Sequence, residues 1–193
     1  MNLAETIRAK LAATAHIPPP LTGDGLALDD GPIVPAAVLV AITDRAEPGL
    51  ILTKRNEALR KHPGQIAFAG GRADPTDIDP ADTALREAHE EIGMPREAVA
   101  VIGTDSRYLT TSNYAIVPVI GVVPPDLPLR PLEFEVADIF EVPLAFVLDP
   151  ANQKQAEAEF QGQMRRYYQI DWQGRQIWGA TAAMIVNLSR RLA

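Results

Sequence analysis

The chain contains no cysteine, which excludes disulfides, thiolate metal sites and cysteine nucleophiles together. Histidine is scarce, with only His16, His62 and His89, too few for a histidine-rich metal centre. Positive charge is in deficit: 18 Lys and Arg stand against 25 Asp and Glu, a net charge of −7. General nucleic-acid binding needs a basic surface to displace counterions and is therefore not expected, although a local basic cluster can still hold a small anion. Long apolar runs are also missing. The longest, GPIVPAAVLVAI, is too short to span a bilayer and carries prolines. The opening MNLAETIRAKLAATAHIPPP lacks the continuous apolar segment of a secretory signal. Together these absences predict a cytoplasmic protein with a small-molecule substrate and neither a nucleic-acid nor a membrane partner.

What is present is ordinary for a globular protein: 193 residues, 47% hydrophobic and 22% charged, enough for one domain with a sizeable core. Leu3, Ile7 and Leu11 are spaced for a short amphipathic helix that the prolines at 18–20 terminate. LTGDGLALDDGP reads as a loop. AAVLVAIT (36–43) and GLILTKR (49–55) read as a hairpin, with further strands at AVAVIGTD, YAIVPVIGVV and FEVPLAFVL. YYQIDWQGRQIW reads as a hairpin turning at Gln173-Gly174, and a closing helix runs from about Gly179 to Leu192. Interleaved helices and antiparallel hairpins predict an α+β layered domain over 1–193. Its core spans about 33–150, with an N-terminal helix within 1–17 and a C-terminal hairpin and helix within 165–192.

The chemistry concentrates in LREAHEEIGM (85–94). Asp79 is a natural N-cap, Pro80 fits the first helical position, and Gly93 followed by Pro95 marks the end. At about 100° per residue, Ala81, Leu85, Ala88 and Ile92 share a narrow core-facing sector. Glu87, Glu90 and Glu91 share another that points mostly away, and their carboxylates can converge. Alone, that grouping is unfavourable, because like charges repel and two of them lie near the negative helix end. A hard divalent cation reverses the sign, since it takes oxygen ligands and substrate phosphates. Arg86 can orient Glu90 by a fork-shaped contact. A solvated acidic face is the simpler reading of the helix alone. A Gly70-Gly71 turn and an aspartate-rich loop with Asp74, Asp77 and Asp79 precede it, and in that company a metal–phosphate site is the better reading.

GGRADPTDIDPADTALREAHEEIGM resembles a Nudix box, the signature of enzymes that hydrolyse nucleoside diphosphates linked to another group. Gly71, Arg86, Glu87, Ala88, Glu90, Glu91, Gly93 and Met94 match it. The first glutamate of the box falls on Asp77, and the following spacer is one residue longer. Upstream, ILTKRNEALRKHPGQIAFAGG is similar to the extended signature of the coenzyme A branch. Thr53, Arg55, Arg60, Gly64, Phe68, Gly70 and Gly71 are in register, and Ile51, Asn56 and Ala69 depart.

The resemblance implies an α/β/α sandwich with a mixed sheet. It implies Mg2+- or Mn2+-dependent cleavage of the coenzyme A pyrophosphate to 4′-phosphopantetheine and adenosine 3′,5′-bisphosphate. Glu87, Glu90 and Glu91 would bind the metal, with Arg86 beside them and the Gly70 backbone as a further ligand. Gly70 and Gly71 would line the substrate, and Arg55 and Arg60 would hold its phosphates. For the two arginines a basic loop that merely balances the acidic helix is the competing reading. Glu135 is a candidate general base; a surface glutamate at a strand edge is its plainer interpretation. The aromatic residues Tyr108, Tyr114, Trp172 and Trp178 are read as packing. The alternatives are hydrolysis of ADP-ribose, NADH or a nucleoside triphosphate, or a non-catalytic binding module. The N-terminal helix and the C-terminal hairpin are the candidate surfaces for a homodimer.

Overall fold

The computed structural model describes residues 2–24, 31–160 and 163–193; the middle of the expected loop LTGDGLALDDGP, residues 25–30, lies outside them. Helix α1 (Leu3–Ala13) opens the chain with a capping box, in which the Asn2 side chain accepts the Glu5 N–H and Glu5 reaches back. Strands β1 (Val34–Thr43) and β2 (Gly49–Arg55) follow, then the short β3 (Ile66–Ala67) and β4 (Ala69–Arg72). Helix α2 (Pro80–Ile92) leads to β5 (Ala100–Thr104), β6 (Tyr108–Leu109) and β7 (Tyr114–Val123). Strand β8 (Val136–Pro143) runs into the single-turn α3 (Leu144–Leu148). The chain closes with β9 (Lys154–Phe160), β10 (Gln163–Trp172), β11 (Arg175–Trp178) and α4 (Gly179–Leu192).

Among the described residues eight strands form a mixed sheet. Its centre is β1, which pairs parallel with β7 from Val34↔Tyr114 to Thr43↔Val123. Alternation along β1 sets the layers. Val38, Val40 and Ile42 face a core built with α1, α4 and the residues Ile170 and Ile177. Ala37, Leu39 and Ala41 face a second core under Ala84, Ala88 and Ile92 of α2. The result is the α/β/α sandwich expected from the resemblance. Both faces of β1 are covered, so its run is almost uninterruptedly apolar. No helix among the described residues is long and apolar enough to cross a membrane.

The partners on one side of β1 are split. β4 pairs antiparallel over Ala36–Leu39, whereas β2 meets β1 only at Ile42↔Leu50 and continues alongside β8 as far as Arg55↔Val136. The strands therefore part at one end, and α2 lies beneath the opening.

Three expectations need correcting. FEVPLAFVL is not one strand: β8 ends at Pro143, and Leu144 and Val147 turn inward on α3 instead, because proline supplies no N–H to continue the ladder and suits a helix start. Gly70 and Gly71 lie within β4, paired with Val38 and Ala37, not in a turn. The C-terminal hairpin belongs to a three-stranded sheet whose third strand, β9, was not anticipated; KQAEAEF carries too little apolar signal to be read as a strand.

Candidate functional site

Helix α2 sits where its sequence directs. Asp79 caps it by accepting the Asp82 N–H at 2.8 Å. Gly93 ends it at φ 65°, a left-handed conformation that glycine takes without a Cβ penalty. Ala84, Ala88 and Ile92 are buried against β1 and β4. That packing fixes the rotation of the helix and turns Glu87 and Glu91 toward β4.

Glu91 is not on an exposed face. It is only 6% exposed, and one carboxylate oxygen accepts the Gly70 N–H at 3.1 Å. Burial pushes its pKa up to about 7, against the pull of that N–H, and the neighbouring Glu87 charge adds to the rise. Glu87 is half-buried, and burial raises its pKa as well, while Arg86 opposes the rise. A Cβ on Gly71 would meet the Glu87 carboxyl carbon at 2.6 Å, so glycine here lets the carboxylate lie against the strand, and a side chain would make it swing aside. Glu90 is the exposed member, its side chain 54% accessible.

Arg86 organises the group. Its Nε and Nη2 lie 2.9 Å from the two oxygens of Asp77, Nη2 also donates to the Arg72 carbonyl at 3.0 Å, and Nη1 donates to Glu87 at 2.9 Å and Glu90 at 3.2 Å. The expected fork is real but grips Asp77, not Glu90. All five donors of the guanidinium are thus engaged, which leaves none for a substrate. The Arg86 guanidinium holds the Asp77 carboxyl far below the usual range. Asp77 also accepts the Asp74 N–H at 2.8 Å, closing the aspartate-rich loop onto the helix. The box's departure at this position therefore has a definite job.

Glu87 and Glu90 turn to Arg86 while Glu91 turns to Gly70. Among the described residues no three acidic or histidine side chains form a ready-made metal cluster. The donor chemistry nevertheless suits a hard divalent cation. The groups are all oxygen donors, and two of them are carboxylates whose raised pKa values reflect burial without enough positive charge.

Arg55 ends β2, and its charge favours the ionised form of Glu91; its Nε is buried without a partner. Arg60 is exposed on the loop after β2, where no described residue pairs with it. Glu135, just before β8, is half-buried, and its negative charge reaches both Glu87 and Glu91. The structure therefore brings Arg55, Glu135, Gly70 and Gly71 together with the carboxylates of Glu87 and Glu91, while Arg60 stands on the loop after β2 with no hydrogen bond or ion pair to them. On the other flank a cavity of about 200 Å3 is lined by Arg72, Ala73, Asp74, Pro75, Arg86 and Glu87. A larger hollow of about 300 Å3 lies at the far end of β2 around Arg45 and Glu141 and touches none of the helix carboxylates.

The aromatics are engaged elsewhere. Phe68 is core. Trp172 stacks on Phe140, and Trp178 meets Tyr167 edge-on. Tyr108 is buried and donates to Asp24 at 2.5 Å; Tyr114 is half-buried on β7. Sequence reading missed Arg72, whose position directly after Gly70-Gly71 was the available signal.

The NUDIX domain family matches residues 33–161. A protein of Cronobacter sakazakii named "Uncharacterized Nudix hydrolase NudL" is 43% identical over 157 residues, covering 81% of this chain and 82% of the relative. Its Escherichia coli K12 namesake is 41% identical over the same shares. Among solved structures, the Nudix hydrolase RenU of M. smegmatis superposes with a TM-score of 0.51 at 22% identity, over 64% of this chain and 81% of that one. The Ap4A hydrolase of C. elegans gives 0.50 at 18% identity, over 58% and 82%. Both share the fold.

Proposed function

The chain belongs to the Nudix hydrolase family, enzymes that act on nucleoside diphosphate derivatives, and from that premise we propose that its substrate is coenzyme A or a derivative. Hydrolysis of the pyrophosphate would release 4′-phosphopantetheine and adenosine 3′,5′-bisphosphate. The observation that carries this reading is the position of Arg55. It stands at the end of β2 next to the buried Glu91, so a guanidinium meets an anionic substrate at the carboxylate site itself. Arg60, on the loop that follows, reaches outward to a more distant phosphate.

Nudix hydrolases generally use divalent metals. Here Glu87, Glu90 and Glu91, with the Gly70 backbone, would hold Mg2+ or Mn2+, which when bound neutralises phosphate charge and acidifies a water. The chain's own residues do the rest. Asp77 and Arg86 fix the carboxylates of Glu87 and Glu90. Gly71 keeps the floor above Glu87 open. Arg55 orients the pyrophosphate, and Glu135 accepts a proton from the attacking water. Retention of all three box glutamates speaks against a purely binding role.

The test is incubation of the purified chain with coenzyme A, ADP-ribose and NADH in Mg2+ or Mn2+, with products identified by mass. Adenosine 3′,5′-bisphosphate and phosphopantetheine from coenzyme A alone support the reading. Cleavage of only the other two keeps the hydrolase and discards coenzyme A.

A further inference from the structure

Asn56 is the first residue beyond β2 and makes contacts in two directions. Its N–H donates to the Glu135 carbonyl at 2.8 Å, and its Nδ2 donates to the Glu133 carbonyl at 2.6 Å. Its Oδ1 accepts the Ala58 N–H at 2.9 Å, and its carbonyl accepts the Leu59 N–H at 3.2 Å. The last two bonds make the side-chain turn that starts the Arg60 loop. The first two grip the segment that carries Glu135.

That segment is held from its other side by the catalytic helix. Leu132 N–H donates to the Glu91 carbonyl at 2.8 Å and Arg130 N–H to the Ile92 carbonyl at 3.0 Å, satisfying carbonyls that a helix end leaves open. Inside the segment, Glu135 and Val136 both donate to the Leu132 carbonyl, at 2.8 and 2.9 Å. The Glu135 backbone is therefore suspended between the end of α2 and one residue, Asn56, whose N–H holds the Glu135 carbonyl and whose side chain holds the Glu133 carbonyl. At β2 the register shifts between Lys54 and Arg55, so the ladder with β8 is irregular just where Asn56 takes over.

We propose that Asn56 is a positioning residue that joins the Arg60 loop to the Glu135 segment, so that cation and carboxylate approach the substrate as one unit. The proposal rests on the hydrolase reading above and deepens it. Asn56 touches no reacting atom; it acts through Glu135 and through the turn. Alanine at this position removes the Glu133 and Ala58 contacts together. Aspartate keeps an acceptor for Ala58 but sets an oxygen against the Glu133 carbonyl.

The experiment is a double-mutant cycle on the full chain, with coenzyme A, ADP-ribose and NADH run in parallel in Mg2+. Asn56→Ala should lower kcat about tenfold, the scale expected when a catalytic group is misplaced. In a Glu135→Gln background the same change should cost less than about twofold, because the group it positions is already disabled. Asn56→Asp should share the kcat loss and spare KM more than Asn56→Ala does. Equal losses in both backgrounds, or a lower melting temperature with unchanged kinetics, would overturn the proposal. Amide hydrogen exchange reads the brace without turnover: the Glu135 and Val136 amides should exchange faster in Asn56→Ala, and unchanged exchange overturns it. A wild-type chain that cleaves none of the three substrates defeats the hydrolase reading, while the exchange result still decides whether Asn56 holds the segment.

Discussion

Asp77 takes both arms of the Arg86 guanidinium, with Nε–Oδ1 and Nη2–Oδ2 each at 2.9 Å. The pair ties the loop before α2 to the middle of the helix, and the remaining nitrogen of Arg86 reaches Glu87 and Glu90. Two of the three box carboxylates thus depend for their placement on an aspartate nine residues upstream of the arginine.

Replacing Asp77 with asparagine keeps the shape but sets an amide against the fork. We expect kcat to fall by about tenfold to a hundredfold with a smaller change in KM, as for a residue that orients metal ligands. Arg86→Lys should behave similarly, because an ammonium cannot bridge both oxygens of Asp77 and still reach Glu87. Steady-state kinetics on the two variants decide this; wild-type kcat in Asp77→Asn would refute the brace.

Glu90 offers the cleanest test of metal binding because its side chain is exposed. Glu90→Gln should leave the melting temperature within about a degree or two, since surface changes are typically small. Turnover should nearly vanish, and Mn2+ affinity should drop with it. Near-normal activity would remove Glu90 from the metal set.

Much of this was legible in the sequence. The caps and apolar sector of α2, the β1–β2 hairpin and the Gln173-Gly174 turn follow from local rules, because each is set by residues a few positions apart. What was not legible depends on distant partners. Glu91 looked exposed, since helical geometry cannot tell that β4 covers it. The Arg86 fork looked like an intrahelical contact, since the sequence does not say that the Asp77 loop folds back. β9 was missed because its polar alternation gains meaning only beside β10.

Arg191 tests the packing of the termini. It donates to Thr14 Oγ1 at 3.0 Å, to the Leu11 carbonyl at 2.9 Å and to Asp105 at 2.8 Å, so one side chain clamps α1 to α4 and to the turn after β5. Asp105 is buried, and its other oxygen has no hydrogen-bond partner. Arg191→Ala strands that carboxylate and should cost about 3 kcal/mol. For a chain of this size that is roughly 6–12 °C in Tm. KM should not move, since the cluster lies apart from the carboxylate site. A loss under about 1 kcal/mol would show that the clamp is redundant.

Glu91 sets a pH dependence of stability. Its pKa is raised from 4.5 to about 7 by burial, so the folded chain holds a proton that the unfolded chain has released. The stabilisation is complete below pH 4.5 and is lost as pH rises through 7, a difference of about 3 kcal/mol. Asp74, Asp77 and Asp82 are shifted the other way; their contributions change below pH 4 and are flat in this window. In metal-free protein Tm should fall between pH 5 and 8, and Mg2+ should recover more of it at pH 8 than at pH 5. The Glu87 pKa is raised in the same direction by burial, so Glu91→Gln should reduce the slope and leave a smaller remainder. A slope undiminished in Glu91→Gln assigns the titration elsewhere.

Arg60 separates the coenzyme A reading from its rivals. It is exposed and unpaired among the described residues on the loop after β2, so on the coenzyme A reading its charge would serve a phosphate that the reaction itself does not touch. Arg60→Ala should raise KM for coenzyme A about tenfold, the worth of one exposed charge-assisted contact. It should leave kcat within about twofold, since uniform binding alone is lost. The 3′-dephospho form lacks the group that Arg60 would meet, and its KM should stay close to the wild-type value. Equal penalties on both substrates would place Arg60 on the pyrophosphate beside Arg55 and leave the 3′-phosphate without a partner. That outcome would favour ADP-ribose-like substrates, which carry no such phosphate.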